Sequence, residues 1–163
     1  MPVSATVSVR SATPADAALI HQFILDLADY EKLLDTVAAT QADTAAALFG
    51  ENPRAFAEIA EIDGEPVGFA LWFYTFSTFV GRHGIWLEDL FVRPSARGSG
   101  AGKALLVHLA RRCVDEGLGR FEWSVLDWNA PSIAFYDSLG AAAMDEWIIR
   151  RLTGDGIRRL AGL

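Results

Sequence analysis

The residues best placed to do chemistry lie close together near the middle of the chain, where Leu87 to Gly102 reads LEDLFVRPSARGSGAG. Two carboxylates, Glu88 and Asp89, interrupt an otherwise apolar strand, and an arginine-led glycine loop follows. A carboxylate in such a strand is unfavourable unless it has a partner or a task. Strand alternation predicts that Glu88 and Asp89 point to opposite faces, which argues against a paired acid and base on one surface. In the loop, Gly98, Gly100 and Gly102 let the backbone approach an anion and turn its N–H groups inward. The positive end of the helix beginning around Lys103 adds attraction. The expected phosphate cradle therefore runs from Arg97 through Ser99 and Ala101 to Lys103.

Counting excludes two familiar phosphate loops. A Walker A loop needs glycine where Arg97 stands and serine or threonine where Ala104 stands. A dinucleotide fingerprint from Gly98 needs a glycine at Lys103, and one from Gly100 needs it at Leu105. What remains is arginine, two residues, glycine, one residue, glycine.

The elements that must hold these groups follow from periodicity and turn chemistry. Val7 to Ser11 reads as a strand, and Thr13-Pro14 opens a helix with Ile20, Phe23, Ile24 and Leu27 on one face. Thr40 caps a short helix through Phe49. A hairpin joins Ala55–Ile62 to Pro66–Phe79 through Asp63-Gly64, and the aromatic second strand is expected to be buried on both faces. Ile85 to Val92 is the next strand. The helix from about Gly100 to Glu116 places Leu105, Leu109 and Cys113, with Leu106, Ala110 and Val114, on one broad apolar face. Phe121–Leu126 is a strand, Asn129–Leu139 a short helix, and Ala141–Leu152 a final strand with a helical turn after Gly154. The fold class is α/β (α+β), a mixed, mostly antiparallel sheet flanked by helices.

With 163 residues and 52% hydrophobic content, residues 1–163 are expected to form a single domain with its own core. Cys113, the single cysteine, excludes an internal disulfide and reads as an inert core thiol. MPVSATVSVR lacks a basic end followed by an apolar run, and no segment is long enough to cross a bilayer, so a cytoplasmic location and no membrane partner are expected. The net charge of −7 argues against nucleic acid and is compatible with a cationic small molecule. His21, His83 and His108 are far apart in sequence, with no carboxylate or cysteine at metal-ligand spacing, so no metal is expected.

The loop resembles the pyrophosphate loop of the GNAT (GCN5-related) N-acetyltransferases, and the element order is similar to the GNAT acyl-CoA N-acyltransferase fold from end to end. Three segments sharpen the likeness: LEDLFVRPSARGSGAG, VLDWNAPSIAFYDSLGA from Val125 to Ala141, and YTFSTFVGR from Tyr74 to Arg82. Together they resemble the diamine (spermidine/spermine) and thialysine N-epsilon-acetyltransferase branch.

That resemblance implies an acetyl-CoA-dependent acyltransferase without a metal, and it implies roles for individual residues. Glu88 would take the acceptor amine's proton, directly or through water, while Asp89 helps hold the cation. Tyr136 would face the sulfur of departing coenzyme A. Asn129, which also suits a helix cap, would contact the pantetheine amides, with Ala130, Pro131, Ser132 and Leu139 beside it. Tyr30 and Glu31 would line the acceptor side, with Glu122, Trp123 and Ser124 on the neighbouring strand.

The chemistry explains the need for an acid residue near the amine. An alkylammonium near pKa ~10.4 is mostly protonated at pH 7, and exposing its lone pair costs about 4.6 kcal/mol. Attack on the thioester then puts charge on the carbonyl oxygen, which a backbone N–H of Leu90, Phe91 or Val92 can receive; the resemblance implies that a bulge here splays the strands and frees such groups, which the sequence alone does not show. Tyr136, near pKa ~10, is a weaker acid than a thiol near ~8.5, so hydrogen bonding to the thiolate is expected to matter more than outright proton transfer.

The expected function is acetyl transfer to the primary amine of a small cation, a thialysine- or lysine-like amino acid or a diamine, by direct transfer in a ternary complex. Ser77 stands where polyamine enzymes of the resembled branch carry an aspartate, which favours the lysine-like acceptor. The alternatives are another amine, a protein N-terminus or an aminoglycoside, or a non-catalytic acyl-CoA-binding sensor. Family members commonly pair, so a homodimer is expected, with the apolar Ala141 to Ile149 run exchanging or pairing between copies.

Overall fold

A computed structural model describes residues 5–163. Its residues gather into two units, one ending at Ser124 and the other running from Val125 to Leu163.

The first unit is built on a five-stranded sheet: β1 (Val7–Ser11), β2 (Phe56–Ile62), β3 (Glu65–Ser77), β4 (Arg82–Val92) and β5 (Phe121–Trp123), in that spatial order. Strands β1 to β4 are antiparallel, whereas β5 lies parallel to β4. Helices α1 (Ala17–Tyr30), α2 (Gln41–Phe49) and α3 (Ala101–Asp115) complete the unit. Thr40 caps α2 as expected, its hydroxyl accepting from the Asp43 N–H at 3.2 Å.

Alternation along the strands divides the core between two faces. On one, Phe23 of α1 stacks on Phe69 at 5.5 Å and meets Phe91 at 5.9 Å, with Ile20, Ile59 and Leu48 around them. On the other, α3 packs against the sheet. There the Arg112 guanidinium sits 5.0 Å from the centre of the Trp72 ring, and buried Glu58 accepts from the Trp72 indole at 3.3 Å. Gly68 keeps β3 close to β4, because a Cβ there would lie 2.5 Å from the Phe91 carbonyl oxygen.

Several expectations change. Phe69 and Trp72 are buried, but Tyr74 and Phe76 lie beyond the helices and are exposed. On α3, Leu105, Leu106 and Leu109 are buried while Val114 is 81% exposed. The apolar face therefore narrows over the last turn, and Cys113 is half-buried rather than in the core. Strand β5 ends at Trp123, three residues short of expectation.

In the second unit, α4 (Ala130–Ser138) and α5 (Gly154–Leu160) form, but Ala141–Leu152 is not a strand. The run has the right residue types, yet a strand also needs a neighbour to supply its hydrogen bonds, and the local sequence does not specify one. Trp147, Ile148 and Ile149 are exposed. Among the described residues, no helix is long and apolar enough to cross a membrane.

Candidate active site

The centre of the site is a break in the register of β4. Leu71 pairs with Asp89, but its neighbour Trp72 pairs with Leu87, so Glu88 is the extra residue of a β-bulge. Pairing to β5 stops at the same point: Ile85, Trp86 and Leu87 oppose Phe121, Glu122 and Trp123, and the ladder ends there. From Glu88 onward, β4 runs beside β3 alone.

The bulge corrects the expectation of opposite faces. Leu87 opposes Trp72 on the α3 side, so Trp86 lies on the α1 side, and its indole N–H donates to Glu88 Oε2 at 2.9 Å. Asp89 opposes Leu71, which packs with the Phe23 and Phe91 cluster on that same α1 side. One inserted residue thus brings both carboxylates to one face.

A third carboxylate joins them from the end of α1. Burial pushes Glu31 above the usual carboxylate range, and the charge of Glu88 adds to that. Burial, then the charges of Glu88 and Glu31, pushes the Asp89 carboxyl up to about 7. Like charges gathered in a partly desolvated place resist full ionisation, and a cation among them removes that penalty.

The backbone beyond the bulge shows which groups face the gap. The Arg93 N–H donates to the Val67 carbonyl of β3 at 2.8 Å. Backbone groups alternate sides along a strand, so the Phe91 N–H also faces β3, while those of Leu90 and Val92 face the side that β5 has left. Of the three N–H groups expected to receive an oxyanion's charge, those of Leu90 and Val92 face that side and that of Phe91 does not. The Phe91 side chain is committed to the core.

The loop after β4 has the shape of an anion cradle. Gly98 and Gly100 adopt left-handed φ angles of 81° and 89°, and a Cβ at either would meet nothing within 4 Å. Gly100 is the N-cap of α3 and no side chain caps that helix, although the Ser99 hydroxyl accepts from the Ala101 N–H at 3.3 Å. Gly102 is helical, and a Cβ there would make an ordinary 3.7 Å contact with Val92, so its lack of a side chain is not needed for the local fold. Exposed Lys103 follows in the first turn. The open backbone and uncapped helix end fit a pyrophosphate group.

Arg97 packs back from this loop against Tyr30 and Phe91. Its guanidinium lies 4.9 Å from the Tyr30 ring centre and 5.9 Å from that of Phe91, and Nε donates to the Val92 carbonyl at 3.2 Å. The first unit therefore brings together Tyr30, Glu31, Glu88, Asp89 and Arg97. Glu122 sits opposite Trp86 on β5, Trp123 opposite Leu87, and Ser124 is exposed just beyond the strand.

The second unit carries the remaining expected residues on α4 and its flanks. Asn129 is buried and caps α4, accepting from the Ser132 N–H at 3.4 Å. Pro131 fits the first turn, behind exposed Ala130. Tyr136 is half-buried with its ring 5.6 Å from that of Phe135, and Leu139 is the C-cap.

Sequence reasoning missed Trp86. Its signal was present: an indole two positions before Glu88 on one strand shares its face, and that ring can only donate.

The sequence model of the acetyltransferase (GNAT) family matches residues 21–141. A thialysine N-epsilon-acetyltransferase from Sus scrofa is 38% identical over 97% of this chain and 99% of its own length. An L-ornithine N5-acetyltransferase from Arabidopsis thaliana is 30% identical over 93% of this chain and 86% of its own. Among solved structures, an integron cassette protein from V. cholerae superposes with a TM-score of 0.79 at 28% identity, covering 98% of both chains.

Proposed function

The chain belongs to the acetyltransferase (GNAT) family and is an acetyl-CoA-dependent N-acetyltransferase, and from that premise we propose that its acceptor is the primary amine of a small lysine-like cation, acetylated directly while both substrates are bound. The observation that carries this reading is the convergence of Glu31, Glu88 and Asp89 at the β4 bulge. A monoanionic or neutral acceptor would gain little from three carboxylates, whereas an amino acid with a second, side-chain ammonium gains charge neutralisation as it enters. The thialysine and ornithine enzymes among the relatives support the same acceptor class.

Acetyl-CoA supplies the activated acetyl thioester. The backbone from Gly98 to Lys103 holds its pyrophosphate, and Asn129 with Ser132 holds the pantetheine amides. Glu88, the most exposed of the three carboxylates, takes the ammonium proton, directly or through water, while Asp89 and Glu31 keep the cation in place. The N–H groups of Leu90 and Val92 face the gap and receive charge developing on the carbonyl oxygen. The Tyr136 hydroxyl donates a hydrogen bond to the departing sulfur, and the second proton that the nitrogen sheds as the amide forms passes through solvent to the thiolate, giving the free coenzyme A thiol. In this reading one acetyltransferase domain spans the chain, since the family match runs from α1 through α4.

The second unit's exposed Trp147, Ile148 and Ile149 support pairing of two copies through this run.

A thiol-release assay with acetyl-CoA and a panel of lysine, thialysine, ornithine, diamines and aminoglycosides tests the proposal. Turnover highest with the amino acids is expected. Preference for an aminoglycoside would overturn the acceptor assignment, and coenzyme A binding without turnover of any amine would favour a sensor.

A further inference from the structure

The indole of Trp86 has no part in the roles assigned above, yet among the described residues it donates the side-chain hydrogen bond that Glu88 accepts, at 2.9 Å. We infer that Trp86 is a positioning residue that fixes the Glu88 carboxylate at the bulge, so that its other oxygen is presented to the acceptor amine. This inference rests on the proposed role of Glu88.

Three features support it. Glu88 is the unpaired residue of the bulge, exposed, on a side chain with three rotatable bonds, so nothing in the sheet register orients its carboxylate. Trp86 is the opposite case. It is flanked within the sheet by Phe73 on β3 and Glu122 on β5, the last stretch where β4 has neighbours on both sides. A stiff ring anchored in the paired part of the strand thus holds a flexible acid in the unpaired part. The hydrogen bond is to Oε2 alone, and the indole can only donate, so Oε2 is held as an acceptor and Oε1 is left for a proton. The neighbouring carboxylates Glu31 and Asp89 would otherwise repel Glu88 toward solvent.

The experiment compares four proteins: wild type, Trp86→Phe, Glu88→Gln and the double variant. Steady-state kinetics use the best acceptor from the amine panel across pH 6 to ~10. A fifth protein, with benzothienylalanine at position 86, keeps the ring shape and removes only the N–H, which separates loss of the donor from loss of packing. Loss of the donor should lower kcat about tenfold, the scale of one hydrogen bond to a charged group, with the KM for acetyl-CoA unchanged. The acid limb of kcat/KM, which belongs to the carboxylate cluster as a whole, should move to higher pH. In the Glu88→Gln background, Trp86→Phe should have little further effect, because Trp86 acts through Glu88.

Wild-type kcat and pH profile in the benzothienylalanine protein, with Glu88→Gln strongly impaired, would overturn the inference alone. Equal, multiplicative losses in both backgrounds would also overturn it. Full activity in Glu88→Gln would instead overturn the role of Glu88 itself.

Discussion

The Arg97 guanidinium lies 4.9 Å from the centre of the Tyr30 ring, joining the proposed cofactor loop to the end of the helix proposed to line the acceptor side. The same arginine donates to the Val92 carbonyl, on the strand side from which β5 has parted. A cation held against an aromatic face at an exposed position such as that of Arg97 contributes about 0.5–1 kcal/mol. Tyr30→Ala should therefore weaken acetyl-CoA binding severalfold although the residue's proposed place is on the acceptor side, and Tyr30→Phe should not. A double-mutant cycle with Arg97→Ala, read by acetyl-CoA affinity, should be non-additive. Additive losses would show that the stack carries no coupling.

Asp89 gives a pH dependence with a definite sign. Its carboxyl is raised to about 7 from an ordinary value of 3.8, so between those values the folded protein holds a proton that the unfolded chain has lost. The associated stability is fully present below pH ~4 and is lost as pH rises through ~7. Asp89→Asn should be more stable than the parent at pH 8, by up to about 4 kcal/mol, and close to it at pH 4. Urea melts at the two pH values measure this. An advantage of the same size at both would contradict it.

Entry of the acceptor should displace the Asp89 proton, because an ammonium beside the carboxyl favours its ionised form. Amine binding near pH 7 should then release protons, visible as a calorimetric enthalpy that depends on the buffer's ionisation heat. Asp89→Asn should reduce the release. A buffer-independent enthalpy would count against an ammonium among these carboxylates.

The glycine loop predicts a contrast within three residues. Gly100→Ala places a side chain at φ 89°, where L residues are strained, and should raise the KM for acetyl-CoA while lowering stability by about 1 kcal/mol. Gly102→Ala has room beside Val92 and a helical backbone, so its stability should hold or improve slightly. Thermal melts and acetyl-CoA titrations of the two variants check both statements.

Tyr136→Phe should lower kcat about 10–100-fold with little change in the KM for acetyl-CoA, since the ring remains and the proposed hydrogen bond to the leaving sulfur is lost. An unchanged kcat would remove Tyr136 from the chemistry.

The parts of this site that were legible in the sequence are those fixed by local chemistry. Gly98 and Gly100 were readable because a tight anion loop before a helix needs left-handed residues, and both are left-handed here. Thr40 and Asn129 were readable as caps for the same local reason, and both cap their helices. The bulge at Glu88 was implied by the family resemblance but not readable from the residues themselves, because LEDLF contains no glycine or proline to mark it. Its position depends on how Leu71 and Trp72 of a different strand pair across the sheet. Alternation therefore gave the wrong face for one of two adjacent carboxylates, and that error concealed the cluster with Glu31. The missing strand at Ala141–Leu152 has a similar origin: apolar residue types are local, but the partner that completes a strand is not.

The central claim, that Glu88 takes a proton from the bound ammonium, is tested most directly by varying the acceptor's own basicity. Glu88→Gln and wild type would be compared at pH 7 on a series of acceptor amines whose pKa values run from ~7 to ~10.4. If Glu88 is the base, the loss of kcat should be large, on the order of 100-fold or more, for the most basic amine and should shrink toward nothing for the amine already half deprotonated. An equal loss across the whole series, or no loss at all, would contradict it.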